Sequence, residues 1–124
     1  MAAWYNGIGV SAFPGVGGGK ASITDLHQLW GGLLTSNAVA TTRATAQALL
    51  GDTLQENTSP PACNQVAVVA WKNGMTDLGN AAKVEMTVLV VGPPGPTAVQ
   101  DANDGFDQLA IVTQQGQLAT TAAG

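Results

Sequence analysis

The chain is 124 residues long, which suits one domain with its own hydrophobic core, and we predict a single domain over residues 1–124. Only 10% of the residues are charged, against a usual share of about a quarter, and the net charge is −4. The basic residues do not cluster, which argues against direct nucleic-acid binding and against binding to an anionic membrane surface; they are Lys20, Arg43, Lys72 and Lys83.

Residues 1–21 predict an extended arm or loop. Residues 4–13 mix aromatic residues, β-branched residues and glycines, a composition that suits a short or edge strand or an extended arm. Residues 14–19 (PGVGGG) predict a loop, because consecutive glycines lose much conformational entropy in a helix or strand. The first ten residues have no basic region followed by an apolar stretch, so we expect no signal peptide.

Residues 22–50 have the spacing of apolar side chains that is typical of helices. Ile23, Leu26 and Trp30 recur on one helical face, and a second helical stretch ends near Leu50. Two adjacent glycines interrupt the first stretch. The pattern therefore fits either one bent helix or a helix pair.

Residues 65–91 predict a β hairpin or meander. Residues 65–71 (QVAVVAW) and 83–91 (KVEMTVLVV) are rich in β-branched residues, and Asn73-Gly74 is a strong signal for a tight turn. Residues 97–124 are expected to be mixed structure that ends in a flexible tail. Helices followed by strands favour an α+β fold, in which an N-terminal helix or helix pair packs on a small, mainly antiparallel sheet.

Two glycine-rich segments match phosphate-binding motifs only in part. Residues 14–21 resemble a P-loop, but Pro14 replaces its first glycine and Ala21 replaces the hydroxyl residue that binds magnesium. Residues 7–12 match a dinucleotide-binding pattern, but more glycines follow instead of the helix that such a site needs. We therefore assign no cofactor and identify no small-molecule substrate.

The other reactive side chains do not form a recognisable site. We expect His27 to be a surface or interface residue and Cys63 to be buried and inert, although the two would form a Cys–His pair if the fold joined them. An acidic cluster predicts a solvated turn, with calcium binding as the alternative; its residues are Asp101, Asn103, Asp104 and Asp107. We assign no catalytic residue and no metal ligand.

Aromatic and proline-rich segments are the candidates for contacts with other proteins. Trp4 and Tyr5 are expected either to pack on their own domain or to insert into a neighbour as anchors. The glycine- and proline-rich segments are candidates for contact arms. The interface candidates are Trp4, Tyr5, Phe13, Pro93, Pro94 and Pro96.

The low charge and the lack of a catalytic set favour a structural or assembly protein that acts through self-association or lattice contacts. A surface with few charges has little protection against association, which is tolerable where other protein covers it. In overall composition, and without a shared motif, the chain is similar to small tail or capsid-decoration proteins of bacteriophages, which are often rich in Ala, Gly and Thr and poor in Lys. The similarity implies a virion component whose partners are further copies of itself and a larger protein assembly.

The alternative function is that of a small oligomeric α+β enzyme or ligand-binding module with an intersubunit site. His27, Arg43 and Lys83 are the polar groups that such a site would use. The expected location is the virion under the first hypothesis and the cytoplasm under the second, with no membrane-spanning segment under either.

Overall fold

Helices make up all the regular secondary structure in the part of the chain that the computed structural model describes, residues 1–7, 19–36, 38–55, 59–87 and 94–123. The helices are α1 (Ala2–Asn6), α2 (Gly19–Leu34), α3 (Val39–Gln55), α4 (Gln65–Met86) and α5 (Pro96–Ala123). No described residue lies in a strand, so the predicted α+β fold is wrong. Among the described helices, none combines the length and the apolar composition that crossing a membrane requires.

The predicted β hairpin or meander over residues 65–91 is replaced by a single helix. α4 occupies the first 22 residues of that range, and Asn73-Gly74 lies in its interior instead of in a turn. Residues 88–91 lie outside the described residues. The mixed structure expected for residues 97–124 is also wrong, because α5 continues to Ala123.

The N-terminal half contains more helix than the sequence predicts. α2 and α3 form a helix pair in the region where one bent helix or two helices were expected. The extended arm predicted for residues 1–21 is wrong at both ends, because α1 begins at Ala2 and α2 begins at Gly19. The intervening residues 8–18 lie outside the described residues.

α4 is helical because small and apolar side chains recur along it every three or four residues and are buried on one side. Its N-terminus is capped by Asn64, whose side-chain oxygen accepts a hydrogen bond from the backbone N–H of Ala67 at 3.1 Å. Lys83 lies in the last turn, where the helix dipole favours a positive charge. The buried residues of this helix include Ala67, Ala70, Trp71, Gly74, Leu78, Ala81, Ala82 and Glu85.

α4 and α5 pack closely and run antiparallel. At one end, the side chain of Asn64 donates a hydrogen bond to Oε1 of Gln115 at 3.1 Å. At the other end, Gly95, which precedes α5, donates its backbone N–H to Glu85. Between these points the two helices approach closely at Gly74, where an added Cβ would lie 2.9 Å from Leu109 of α5.

Two aromatic side chains attach α1 to the other helices. Trp4 and Tyr5 are only 6% and 5% exposed. Trp4 packs against Gly19 of α2 and meets Trp71 of α4 edge to face, with ring centroids 5.1 Å apart. The Tyr5 ring packs against Gly116 of α5 in the same way, because neither glycine has a Cβ to collide with the ring.

The remaining core fills the space between the longer helices. Leucine side chains from α2, α3, α4 and α5 meet there and exclude water, which supplies most of the driving force for folding. The largest fully buried apolar side chains are Leu26, Leu33, Leu49, Leu78, Leu109 and Val112.

Candidate interaction surface

A groove of about 490 Å³ runs between α3 and α4. Its walls are mainly apolar and include Leu50, Leu54 and Met75. Leu54 stands at the edge of the groove and is 70% exposed. Polar side chains close the rim, among them Lys72 and Lys83.

Beside the groove, the outward side of α4 carries a stripe of exposed residues, called the α4 stripe below. Val66 and Val69 are 57% and 54% exposed, and Val84 is 37% exposed. The residues repeat at intervals of three and four, which places them on one helical face, and none of them is buried by the described part of the chain. The α4 stripe consists of Val66, Val69, Asn73, Thr76, Asn80 and Val84.

Charges of opposite sign lie along the two edges of the α4 stripe. Lys72 and Lys83 lie on the edge that faces the groove and α3. Asp77 lies on the other edge, where it shares a polar depression with Asp104 and Asp107 of α5. Partial burial raises the pKa of Asp77, and the negative charges of Asp104 and then Asp101 raise it further.

The acidic cluster of the sequence is therefore part of a helix. Asp101, Asn103, Asp104 and Asp107 lie in α5, so the predicted solvated turn is wrong. Asp104 accepts a hydrogen bond from Nε2 of Gln100 at 2.9 Å. Within the described residues no group of three or more His, Cys, Asp or Glu side chains is arranged to hold a metal ion, which leaves the calcium alternative without a site there.

Two single reactive residues lie on different parts of the fold. His27 of α2 is exposed and stacks on Phe106 of α5, with ring centroids 3.9 Å apart, and partial burial lowers its pKa. Cys63 is exposed in the turn before α4, so the expectation that it is buried is wrong. Of the polar groups named for an intersubunit site, Lys83 lines the groove, whereas His27 and Arg43 do not.

The predicted interface residues are mostly directed inward where they are described. Trp4 and Tyr5 are buried by their own chain, Pro94 is buried, and Pro96 is exposed as the first residue of α5. Phe13 and Pro93 lie outside the described residues. The structure does not test whether these residues contact another protein, so their interface role stays a prediction.

Sequence reasoning missed the residues of the α4 stripe. The helical signal was present as a spacing of three and four residues, but the β-branched composition favoured a strand. The residues with this spacing are Val66, Val69, Asn73, Thr76 and Asn80.

No protein-family model matches this chain, and the searches of curated proteins and of solved structures also find no match.

Proposed function

We propose that this chain is an assembly protein that acts by binding further copies of itself through the α4 stripe and the adjoining groove. The supporting observation is that Leu54, at the edge of the groove, and Val66 and Val69, on the α4 stripe, are each more than half exposed. Apolar patches exposed on a folded chain are typical of sites that other molecules cover.

The charge content supports the same function. Interface cores are depleted in charged side chains, and only 10% of this chain is charged. The α4 stripe itself has no ionised side chain and presents valine, threonine and asparagine instead. Burial of the α4 stripe itself therefore removes apolar area from water without desolvating an ion, whereas Lys72 and Lys83 lie at its edge.

A virion is the larger assembly that the proposal favours. Its support is the similarity in composition to small tail and capsid-decoration proteins of bacteriophages. In such a particle the chain would make lattice contacts with its own copies and with other structural proteins.

Self-association is tested by size-exclusion chromatography with multi-angle light scattering over a range of concentrations, followed by electron microscopy of any large species. The wild-type chain is expected to form oligomers, and tubes, rings or shells would support a lattice. A wild-type chain that remains monomeric at all concentrations would contradict the proposal.

A pair of matched variants locates the surface. Val69→Asp places a charge in the α4 stripe and is expected to weaken association by at least about tenfold, since a charge must then be desolvated. Leu118→Asp makes the same kind of change at a side chain of α5 that is 59% exposed, outside the stripe and groove, and is expected to leave association unchanged. Equal effects of the two variants would place the contact elsewhere.

A second candidate function is ligand binding in the groove. The groove volume of about 490 Å³ falls within the range of about 300–1,000 Å³ that small-molecule sites occupy. Native mass spectrometry of the purified chain would then show a bound molecule of constant mass, and Met75→Trp would exclude it by filling the groove. A chain without such a molecule, both alone and as an oligomer, would argue against this function.

A further inference from the structure

Asparagine is followed directly by glycine at two places in the chain, Asn6-Gly7 and Asn73-Gly74. Such pairs are chemically labile, because glycine has no side chain to hinder its backbone nitrogen from attacking the side-chain carbonyl carbon of the asparagine. The attack closes a cyclic imide with a new C–N bond, while the bond to the side-chain nitrogen breaks and that nitrogen leaves as ammonia with the backbone proton. Water then opens the ring at either carbonyl, which leaves aspartate or isoaspartate.

The fold protects Asn73 from this reaction. The residue lies in the interior of α4, and helical backbone angles hold the nitrogen of Gly74 away from the asparagine side-chain carbon. α5 also packs closely here, since a Cβ added at Gly74 would lie 2.9 Å from Leu109 and 3.1 Å from the carbonyl oxygen of Gly105. Attack at Asn73 therefore requires two packed helices to open in the middle.

The fold holds Asn6 much less firmly. Asn6 is exposed as the last residue of α1, and Gly7 follows it in the left-handed conformation, with φ at 78°. The backbone N–H of Gly7 bonds only within this short helix, to the carbonyl oxygens of Ala3 and Trp4. A helix of five residues has no stability of its own, so the opening of α1 alone frees the nitrogen of Gly7 for attack.

The side chain of Asn6 joins α1 to α5. Its Nδ2 donates hydrogen bonds to the carbonyl oxygen of Ala2 at 3.1 Å and to Oγ1 of Thr120 at 2.9 Å. The hydroxyl of Thr120 donates its own proton to the carbonyl oxygen of Gly116 at 2.9 Å, so its oxygen accepts the bond from Asn6. A carboxylate in place of the amide has no proton to donate, and both bonds from Asn6 are then lost.

We propose that Asn6 is a site of spontaneous deamidation in the folded chain, and that its conversion loosens the attachment of α1 to the other helices. The product places a negative charge beside the C-terminal ends of α1 and α5, where the helix dipoles oppose it. Lys20 lines the same depression, but it is exposed, and an exposed ion pair contributes little. The change runs in one direction because ammonia is lost, and it is independent of the α4 stripe.

Loosening of α1 changes the surface that the chain presents. Trp4 and Tyr5 are only 6% and 5% exposed while α1 is attached, and the ring of Trp4 packs on Trp71 of α4. Opening of α1 exposes all three rings to solvent. Deamidation at Asn6 would therefore act as a slow switch that uncovers an aromatic surface as the protein ages.

Peptide mapping by mass spectrometry tests the site. The full chain is incubated at mildly alkaline pH, once folded and once unfolded in guanidinium chloride, and the conversion of each asparagine is followed over time. Relative to its own rate in the unfolded chain, Asn73 is expected to be slowed by folding at least about tenfold more than Asn6. Equal slowing of the two residues, or a folded chain that converts neither while the unfolded chain converts both, would contradict the proposed site.

Hydrogen exchange measured by mass spectrometry tests the loosening of α1. Asn6→Asp reproduces the aspartate product and is expected to speed exchange of the α1 amides by about tenfold, because the two hydrogen bonds from Asn6 are lost. Asn73→Asp makes the same change on the exposed side of α4 and is the matched control, with α1 exchange expected to match the wild type. Far-UV circular dichroism confirms that both variants are folded. Wild-type exchange of α1 in Asn6→Asp, or the same increase in both variants, would overturn the proposed loosening.

Discussion

The Tyr5 ring packs directly on Gly116, so replacing this glycine with alanine is expected to lower the stability of the folded chain. A Cβ at Gly116 would lie 2.7 Å from Cδ2 of Tyr5 and closer still to Cγ and Cδ1. The ring is rigid and only 5% exposed, so it has little room to turn aside. Gly116→Ala must therefore push α1 away from α5, and overpacking of this kind costs about 1–3 kcal/mol in the free energy of unfolding.

Thermal unfolding followed by far-UV circular dichroism measures this loss. A chain of this length has an unfolding entropy at which 1 kcal/mol corresponds to about 4 °C in Tm, so Gly116→Ala is expected to lower Tm by about 4–12 °C. Intrinsic tryptophan fluorescence adds a local signal, since displacement of α1 would separate Trp4 from Trp71.

Two controls separate the collision from the general effect of adding a methyl group. Gly51 lies inside α3, and a Cβ there would meet no described atom within 4 Å, apart from its own helix backbone and its neighbours in the chain. Gly51→Ala is therefore expected to stabilise the chain by about 0.5–1 kcal/mol. In a Tyr5→Ala background, Gly116→Ala should no longer destabilise. The reasoning is refuted if Gly116→Ala melts at or above the wild-type Tm, or if its effect is the same without the tyrosine ring.

Other measurements test the remaining packing and polar contacts. Burial raises the pKa of Glu85, whose side chain is 1% exposed, although a hydrogen bond from Gly95 opposes the shift. The folded state thus holds the proton more tightly than the unfolded state, and stability falls as pH rises from the unfolded pKa through the folded one. Glu85→Gln is expected to stabilise the chain at pH 7 by about 1 kcal/mol and to make stability less dependent on pH. A variant whose Tm varies with pH as that of the wild type does would show that Glu85 is not the cause of this dependence. Asn64→Ala removes the α4 cap and should cost about 1–2 kcal/mol in urea unfolding, whereas Asn64→Asp, which keeps the acceptor, should cost less; equal losses would exclude capping as the cause. Gly74→Ala should cost about 1–3 kcal/mol because the new Cβ would press on the fully buried Leu109, and a neutral result would mean that α4 and α5 are farther apart than described.

Helices α2 and α3 could be predicted because the spacing of apolar residues and the amino-acid composition both favour a helix there. Ile23, Leu26 and Trp30 lie three and four residues apart, and all are buried in α2 as that spacing predicts. No cluster of β-branched residues in this region favours a competing strand.

The second half was mispredicted because its local composition favours strands, whereas its tertiary packing favours helices. Valines and the Asn73-Gly74 pair favour strands and a turn, but the same stretch also places small residues every three or four positions. These small residues let α5 approach α4, and the packing of two long helices outweighs the strand preference of single residues. Gly74, which sequence reasoning interpreted as a turn residue, is instead the point where the two helices come close.

The candidate surface could not be predicted once α4 was taken for strands. As strand residues, Val66 and Val69 would point to opposite faces of a sheet, whereas as helical residues they lie together on the exposed side of α4. Trp4 and Tyr5 were expected either to pack on their own domain or to anchor a neighbour, and they are buried by their own chain because glycines on α2 and α5 leave space for their rings. Contacts of this kind join residues that are distant in sequence, so no local sequence pattern predicts them.

The attachment of α1 also has a consequence for the order of folding. A helix of five residues is far too short to be stable in isolation, so α1 forms only against a surface that already exists. That surface joins Gly19 with Gly116 and includes a hydrogen bond from Asn6 to Thr120, residues 114 positions apart. We therefore expect α1 to dock over Trp71 only after α2, α4 and α5 have packed together, because these helices supply the residues that it contacts.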